Sequence, residues 1–400
     1  MNITAKTYRI LVITNLYPNS EMPRHGIFTE HRIRHLQASE RVDLRVISPV
    51  PWFPFRGRRF GQYGAYARVG RQEERHGVEV RYPRYPVIPK VGSALSAVLM
   101  ALALLPAVRR LVRSGFDFDL IDAYYFYPDG VAAAILGKLL AKPVVVTAFG
   151  TDISVIARQR LLRPQIRWAA RHSAGMTTVC QALKDALVDL GASADRVRVV
   201  LHGVDFGLFR PAEDRAAIRW RLGLSRPTLI TVGHLTENKG HHLAISALRG
   251  LPGMELLIAG SGEEEQNLRD RAHRDGVADR VRFLGLVGQQ DLPDYYNAAD
   301  ALVLASEREG IANVLMEALA CGTPVVATAV WGAPEVITSD VAGVLIDERS
   351  AQGVADGVKR LFANRPERSA TRKFVEPYTW EATTEAHLAL LDSILGDVDG

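Results

Sequence analysis

Glu309 and Glu317 lie in the stretch Ser306 to Thr328, which reads SEREGIANVLMEALACGTPVVAT. An apolar run, Ala301 to Ala305, leads into a charged turn; Ile311 to Ala320 then has the pattern of a helix, and Gly322-Thr323-Pro324 stops it before a second apolar run, Val325 to Thr328. The order strand, loop, helix, turn, strand puts Glu309 ahead of the helix and Glu317 about two turns along it. Two carboxylates so placed can accept hydrogen bonds from hydroxyls of one ligand. Gly310 permits close backbone approach, and the N–H groups opening the helix at Ile311, Ala312, Asn313 and Val314 form an anion site that fits a diphosphate. A ligand with hydroxyls at both ends and phosphates between them answers this pattern. Isolated surface glutamates are usually just solvated, so the reading rests on the whole string.

A second cluster follows the strand pattern Thr228 to Val232: Gly233-His234-Leu-Thr-Glu-Asn-Lys239-Gly240, before a helix from His241. Lys239 read alone is usually a solvated ammonium, a mobile point charge, and His234 carries an imidazole only partly charged near pH 7. Other candidates admit two readings. Gly26, between the strand Tyr8 to Asn15 and a helix to Gln37, suits either a phosphate or a tight turn. Asp152, delivered by the strand Pro143 to Thr147 to the carboxyl edge of a sheet, suits either an acceptor substrate or a helix cap. Asp129 reads as the cap of a helix running to Leu140. Asp117-Phe-Asp119 copies a metal-binding pattern but merely precedes a strand, and Gly260-Ser-Gly262 lacks the third glycine of a dinucleotide fingerprint. Neither a metal nor a nicotinamide cofactor is expected.

The elements that must carry these residues form two successive β/α series in 400 residues, enough for two domains. Residues 1–205 hold 29 Lys and Arg against 16 Asp and Glu, whereas 206–400 hold 20 against 28, so a net +13 is followed by −8. The expected division is a domain over 1–205, a second over 206–377 and a terminal segment over 378–400 that returns to the first, with a hinge around Gly203 to Pro211. The basic half implies an anionic partner, and no nucleic-acid motif accompanies it. Pro49 to Arg75 interleaves Trp52, Phe53, Phe55, Phe60, Tyr63 and Tyr66 with six arginines, which suits either a membrane interface or a long loop packing its aromatics on the N-terminal domain. Val91 to Val108 is diluted by Gly92, Ser93, Ser96 and Pro106 and reads as a buried or amphipathic helix rather than a span. Two distant cysteines, Cys180 and Cys321, and an N-terminus that moves straight into a strand point to the cytoplasm.

The Ser306–Thr328 string, with its two glutamates and the following A-x-G-x-P-V-V, resembles the signature of the retaining glycosyltransferases of family 4. NLYPNSEMPRHGIFTEHR resembles more narrowly the branch serving teichuronic acid and exopolysaccharide biosynthesis. The resemblance covers nearly the whole chain and implies an α/β protein of GT-B type, two Rossmann-like doubly wound parallel-sheet domains facing across a cleft. It implies a nucleotide-diphosphate sugar donor, uridine before guanosine, held by the second domain without a metal. The acceptor would be a saccharide, polyprenyl-linked, on the basic first domain at the inner face of the plasma membrane. Closure of the hinge would exclude water. Residue by residue, the donor site comprises Gly26, Gly233, His234, Lys239, Leu286, Glu309, Gly310, Ile311, Ala312, Asn313, Val314 and Glu317, with Lys239, Glu309 and Asp152 nearest the chemistry. Glu309 would meet the sugar, Glu317 the ribose, and main chain near Leu286 the base. The chain departs from the family at Phe149, His202 and His234, which stand where His, Asn and Arg are usual, and at Ile311-Ala312, often Phe-Gly. A sugar-nucleotide epimerase, and a non-catalytic sugar-nucleotide binder, are the other functions this fold would allow.

Overall fold

The computed structural model describes residues 7–88 and 92–396. The N-terminal six residues, on which the expectation about a leader partly rests, and Val91, the first residue of the apolar segment, lie outside them. Two compact units are present: one runs to Leu201 and takes the chain up again at Glu381, and the other is His202–Trp380. The division at Leu201/His202 precedes the expected 205/206, and the return falls at Glu381 instead of 378.

In the first unit β1 (Tyr8–Ile13), β2 (Val42–Ile47), β3 (Gln72–Arg75), β4 (Val78–Arg81), β5 (Leu120–Tyr124), β6 (Val144–Ala148), β7 (Gly175–Thr178) and β8 (Val197–Val199) form one sheet, ordered β8-β7-β6-β5-β1-β2-β4-β3. Only β3 runs antiparallel. The central strands are near-continuous Val, Ile, Leu and Ala because parallel strands are covered on both faces. Helices α1 (Ile27–Ala38), α2 (Ser96–Arg113), α3 (Val131–Leu140) and α4 (Arg163–His172) belong to this unit, and α3 packs against both α2 and α4. The C-terminal helix, Trp380–Leu395, places Leu388, Leu390, Leu391 and Leu395 in one core with Ile10, Val12, Ile33 and Leu36. The Pro49–Arg75 segment, read as a membrane interface or a long loop, holds a helix, Gly61–Arg68, and β3. Its rings gather on one another, Phe55 stacking on Phe60 at 5.2 Å, while Trp52, Phe55 and Tyr63 stay exposed.

The second unit contains β9 (Thr228–Val232), β10 (Glu255–Ala259), β11 (Val281–Gly285), β12 (Ala301–Leu304), β13 (Val325–Thr328) and β14 (Gly343–Ile346), all parallel and ordered β11-β10-β9-β12-β13-β14. Ranked within the unit this is 3-2-1-4-5-6, a doubly wound sheet whose strand order reverses between β9 and β12. Helices α5 (His241–Ala247), α6 (Leu292–Ala298) and α7 (Asn313–Ala320) follow β9, precede β12 and follow β12 respectively. Trp331 and Gly332 lead into the short helix Ala333–Val336.

Candidate active site

Strand order determines which loops meet. The chain leaving β9 becomes Gly233–Gly240, and the chain leaving β12 becomes Ala305–Gly310, so the two loops stand side by side where the sheet's winding reverses. They are zipped together. Glu307 donates its N–H to Asn238 O at 2.8 Å, Asn238 Nδ2 donates to Arg308 O at 3.1 Å, and Arg349 bridges Ala305 O and Glu237 O. Gly240, at φ 70°, makes the fit possible: a Cβ there would lie 2.0 Å from Ala305 O.

Out of this seam Lys239 Nζ reaches Glu309 Oε2 at 2.6 Å, the two side chains 22% and 17% exposed. Pairing in so sheltered a place fixes both side chains while leaving each a face for a ligand. Gly310 to Ala312 are buried and Asn313 and Val314 half-buried. Helix α7 begins at Asn313, so Ile311 and Ala312 belong to its approach and not to the helix as expected. No side chain caps the helix, which leaves its first-turn amides as donors. Asn313 is held by His202, Nδ1 to Oδ1 at 3.0 Å, and the His202 ring stacks on Trp380.

Glu317 stands a little more than one turn after Asn313, not the two turns expected. Although the residue is only half-buried, its carboxyl is desolvated, and this pushes its pKa up to about 7 against the pull of Tyr296, whose phenol donates to Oε2 at 2.8 Å. Tyr296, from α6, is fully buried. Nothing in the sequence spacing pairs it with Glu317. The unit also hides His241 beneath the first loop, its ring bonded to Thr231 Oγ1 and His234 O. Burial lowers its pKa to about 4, so it is a neutral prop. His234 itself is largely exposed and leans toward Glu263, Nε2 to Oε2 at 3.5 Å. Gly233, at φ 154°, lies against the Lys239 stem. Leu286 is exposed at the end of β11, bordering a cavity of about 260 Å3 with Val287, Gly288 and Tyr295.

In the first unit Asp152, read as either an acceptor contact or a helix cap, fastens main chain. Fully buried, its carboxylate accepts N–H bonds from Phe126, Phe149 and Gly150, tying together the loops after β5 and β6. Asp129, expected to cap a helix, is also fully buried and accepts the Asn15 N–H at 2.7 Å, fastening the loop after β1; α3 has no side-chain cap. Burial raises the pKa of both carboxyls, and the nearby Asp152 raises that of Asp129 further. Gly26 adopts φ 68°, and a Cβ would strike Leu16 main chain at 2.2 Å, so the tight turn alone accounts for the glycine. Phe149 is wedged between Phe28 and Tyr124. Asp117 pairs with Lys142, and Asp119 accepts the Arg9 N–H. Among the described residues no group of three or more His, Cys, Asp or Glu is placed to hold a metal ion.

Residues 28–208 match the profile described as Glycosyltransferase Family 4, and residues 214–376 that of Glycosyl transferases group 1. The glycogen synthase of Mycobacterium tuberculosis is 31% identical over 329 residues, 74% of this chain and 77% of its own length. The chain belongs to glycosyltransferase family 4. Another relative is the D-inositol 3-phosphate glycosyltransferase of Xylanimonas cellulosilytica, 36% identical over 218 residues, 50% of this chain. The chain spans about half the length of that relative, 52%. Among solved structures, sucrose-phosphate synthase from Thermosynechococcus elongatus superposes with a TM-score of 0.79 at 19% identity over 98% of this chain and 100% of its own. Anabaena HepE in complex with UDP gives 0.73 at 21% over 97% and 100%. These two likenesses establish the GT-B fold.

Proposed function

We propose that this family 4 protein is a retaining glycosyltransferase that moves a sugar from a nucleotide-diphosphate donor to a saccharide carried on a polyprenyl lipid, in cell-surface or exopolysaccharide biosynthesis. The observation that carries the reading is the Lys239–Glu309 pair at the point where the second unit's sheet reverses its winding, beside the uncapped start of α7. Lys239 and the α7 amides suit the diphosphate, Glu309 the sugar hydroxyls and Glu317 the ribose. As the bond from the anomeric carbon to phosphate breaks, negative charge grows on the leaving oxygen, where the ammonium stabilises it. The departing phosphate takes the acceptor hydroxyl's proton on the same face of the sugar, which retains configuration. With His234 turned outward, leaving-group stabilisation falls to Lys239 with no metal required.

Uridine is the first choice of base, supported by the UDP-bound HepE likeness, and guanosine the second, supported by a 37% identical mycobacterial mannosyltransferase named as GDP-mannose-dependent. The site of action is the cytoplasm, at the inner face of the membrane. The test is a panel of UDP-, GDP- and ADP-sugars, with and without a lipid-linked acceptor extract, in EDTA, following nucleotide release and product mass. Acceptor-dependent release of one nucleotide, lost in Lys239→Ala and Glu309→Ala, is expected. Isomerisation of one sugar nucleotide without acceptor would establish an epimerase instead.

A further inference from the structure

The first unit has a face that water alone does not explain. Helix α2 buries Ala97, Met100, Ala101, Leu104, Val108 and Leu111, yet its outer side carries Val98 and Leu102 into solvent, Leu102 at 59% exposure, and Leu95 in the turn before it is exposed as well. A helix apolar on both sides is normally covered on both. Beside it α3 exposes Leu139, and the turn before α4 exposes Leu161 at 70%. These side chains share one layer. The amide of Gln165 on α4 donates to both Ala94 O and Leu161 O, so Leu95 and Leu161 come together at one corner.

Cationic charge lies around these leucines. The last turns of α2 expose Arg109, Arg110 and Arg113. Along α4, a basin of about 650 Å3 is lined by Arg160, Arg163, Arg167, Trp168, Arg171 and His172, with Trp168 stacked on His172 at 4.6 Å. None of these four arginines pairs with a carboxylate among the described residues, and α2, α3 and α4 contain no Asp or Glu. No described helix is long and apolar enough to cross a membrane.

We propose that the outer face of the α2–α3–α4 layer docks on a bilayer rich in anionic phospholipid, its leucines entering the boundary of the acyl chains and its arginines holding headgroup phosphates. Charge complementarity selects the partner: apolar side chains ringed by unpaired guanidinium groups fit a surface that is apolar beneath and anionic above. A second copy of the same face would set arginine against arginine. The inference rests on the lipid-linked acceptor reading and supplies the surface that brings the protein to such an acceptor.

The test is co-sedimentation of the full chain with phosphatidylcholine vesicles containing phosphatidylglycerol, and with phosphatidylcholine alone. Binding is expected only to the anionic vesicles, and is expected to fade as salt rises toward 0.5 M, a concentration chosen so that screening approaches a few ångströms. Arg163→Ala with Arg167→Ala is expected to weaken it about 25-fold, near fivefold for each arginine at an anionic surface. Leu102→Gln with Leu161→Gln is expected to weaken it about tenfold, while Trp220→Ala, an exposed residue of the other unit, leaves it unchanged. No binding to the anionic vesicles, binding indifferent to these four substitutions, or a dimer dissolved by Leu102→Gln in a protein that ignores vesicles would each overturn the proposal. Transfer to the lipid-linked acceptor extract dispersed in detergent, measured on the same proteins, separates the two readings. Its presence without vesicle binding rejects the surface alone, and vesicle binding without transfer rejects the activity alone.

Discussion

Lys239 and Glu309 neutralise each other at 2.6 Å, and a diphosphate sugar offers each a further partner. Removing the ammonium therefore strips charge from the leaving group and also lets Glu309 drift. Lys239→Ala is expected to lower the rate constant for transfer by about 100-fold or more, the scale of losing one preorganised charge-stabilising donor, with folding intact; steady-state nucleotide release reads it. Glu317 carries a pH prediction. Ribose hydroxyls donate, so they bind its ionised form, and with a pKa of about 7 the affinity for nucleotide diphosphate should weaken about tenfold from pH 8 to pH 6. Calorimetric titration across that range checks it, and Glu317→Gln should abolish the slope. Stability has the opposite sense. A carboxyl whose folded pKa lies above its ordinary 4.5 favours the fold while protonated, a contribution whole below pH 4.5 and lost as the pH climbs through about 7.

Loops at the carboxyl edges of both sheets are held by main chain as much as by side chains. Gly240→Ala is expected to destabilise the second unit by roughly 1–3 kcal/mol, because φ 70° and the Ala305 carbonyl both oppose a Cβ, and to part the two loops that hold Lys239 and Glu309. A lowered melting temperature with weakened nucleotide binding would show it. Asp152→Ala leaves three N–H groups, two of them in buried bonds, without their acceptor, so a loss of stability measured by denaturant is expected before any loss of acceptor affinity. Full stability with lost transfer would return Asp152 to the acceptor contact first read from its place in the chain. Elements of this kind divide what the sequence makes legible. Thr228–Val232 and Val325–Thr328 are near-continuous apolar runs that start right after proline, Pro227 and Pro324, so where they begin can be read directly. Val78–Arg81, VEVR, near the sheet's edge beside the antiparallel β3, has no such signature. The Glu309, Glu317 and Lys239 positions stand in recognisable strings, whereas Asp152, Asp129 and Tyr296 take their roles from partners that only the tertiary fold brings near.

At the scale of the whole molecule the chain is built as two compact units, each with its own sheet and core. The second unit, acidic in balance, holds the Lys239–Glu309 pair at its own sheet reversal; the first, basic in balance, closes its core with the C-terminal helix, where His387 meets Asp122 at 3.0 Å with both fully or almost fully buried. Ligand and core substitution should therefore act on different cooperative transitions. UDP, or whichever nucleotide diphosphate the donor panel selects, at 100 times its dissociation constant stabilises the unit that binds it by about 2.7 kcal/mol. Leu391→Ala, at a position with no solvent exposure in the first unit's core, costs that unit about 2–5 kcal/mol. Scanning calorimetry is expected to show the nucleotide raising one transition and Leu391→Ala lowering the other, with nucleotide affinity unchanged by the substitution. A single transition moved by both treatments would mean that the two units unfold as one block, and that the C-terminal helix supports the donor site as well as its own core.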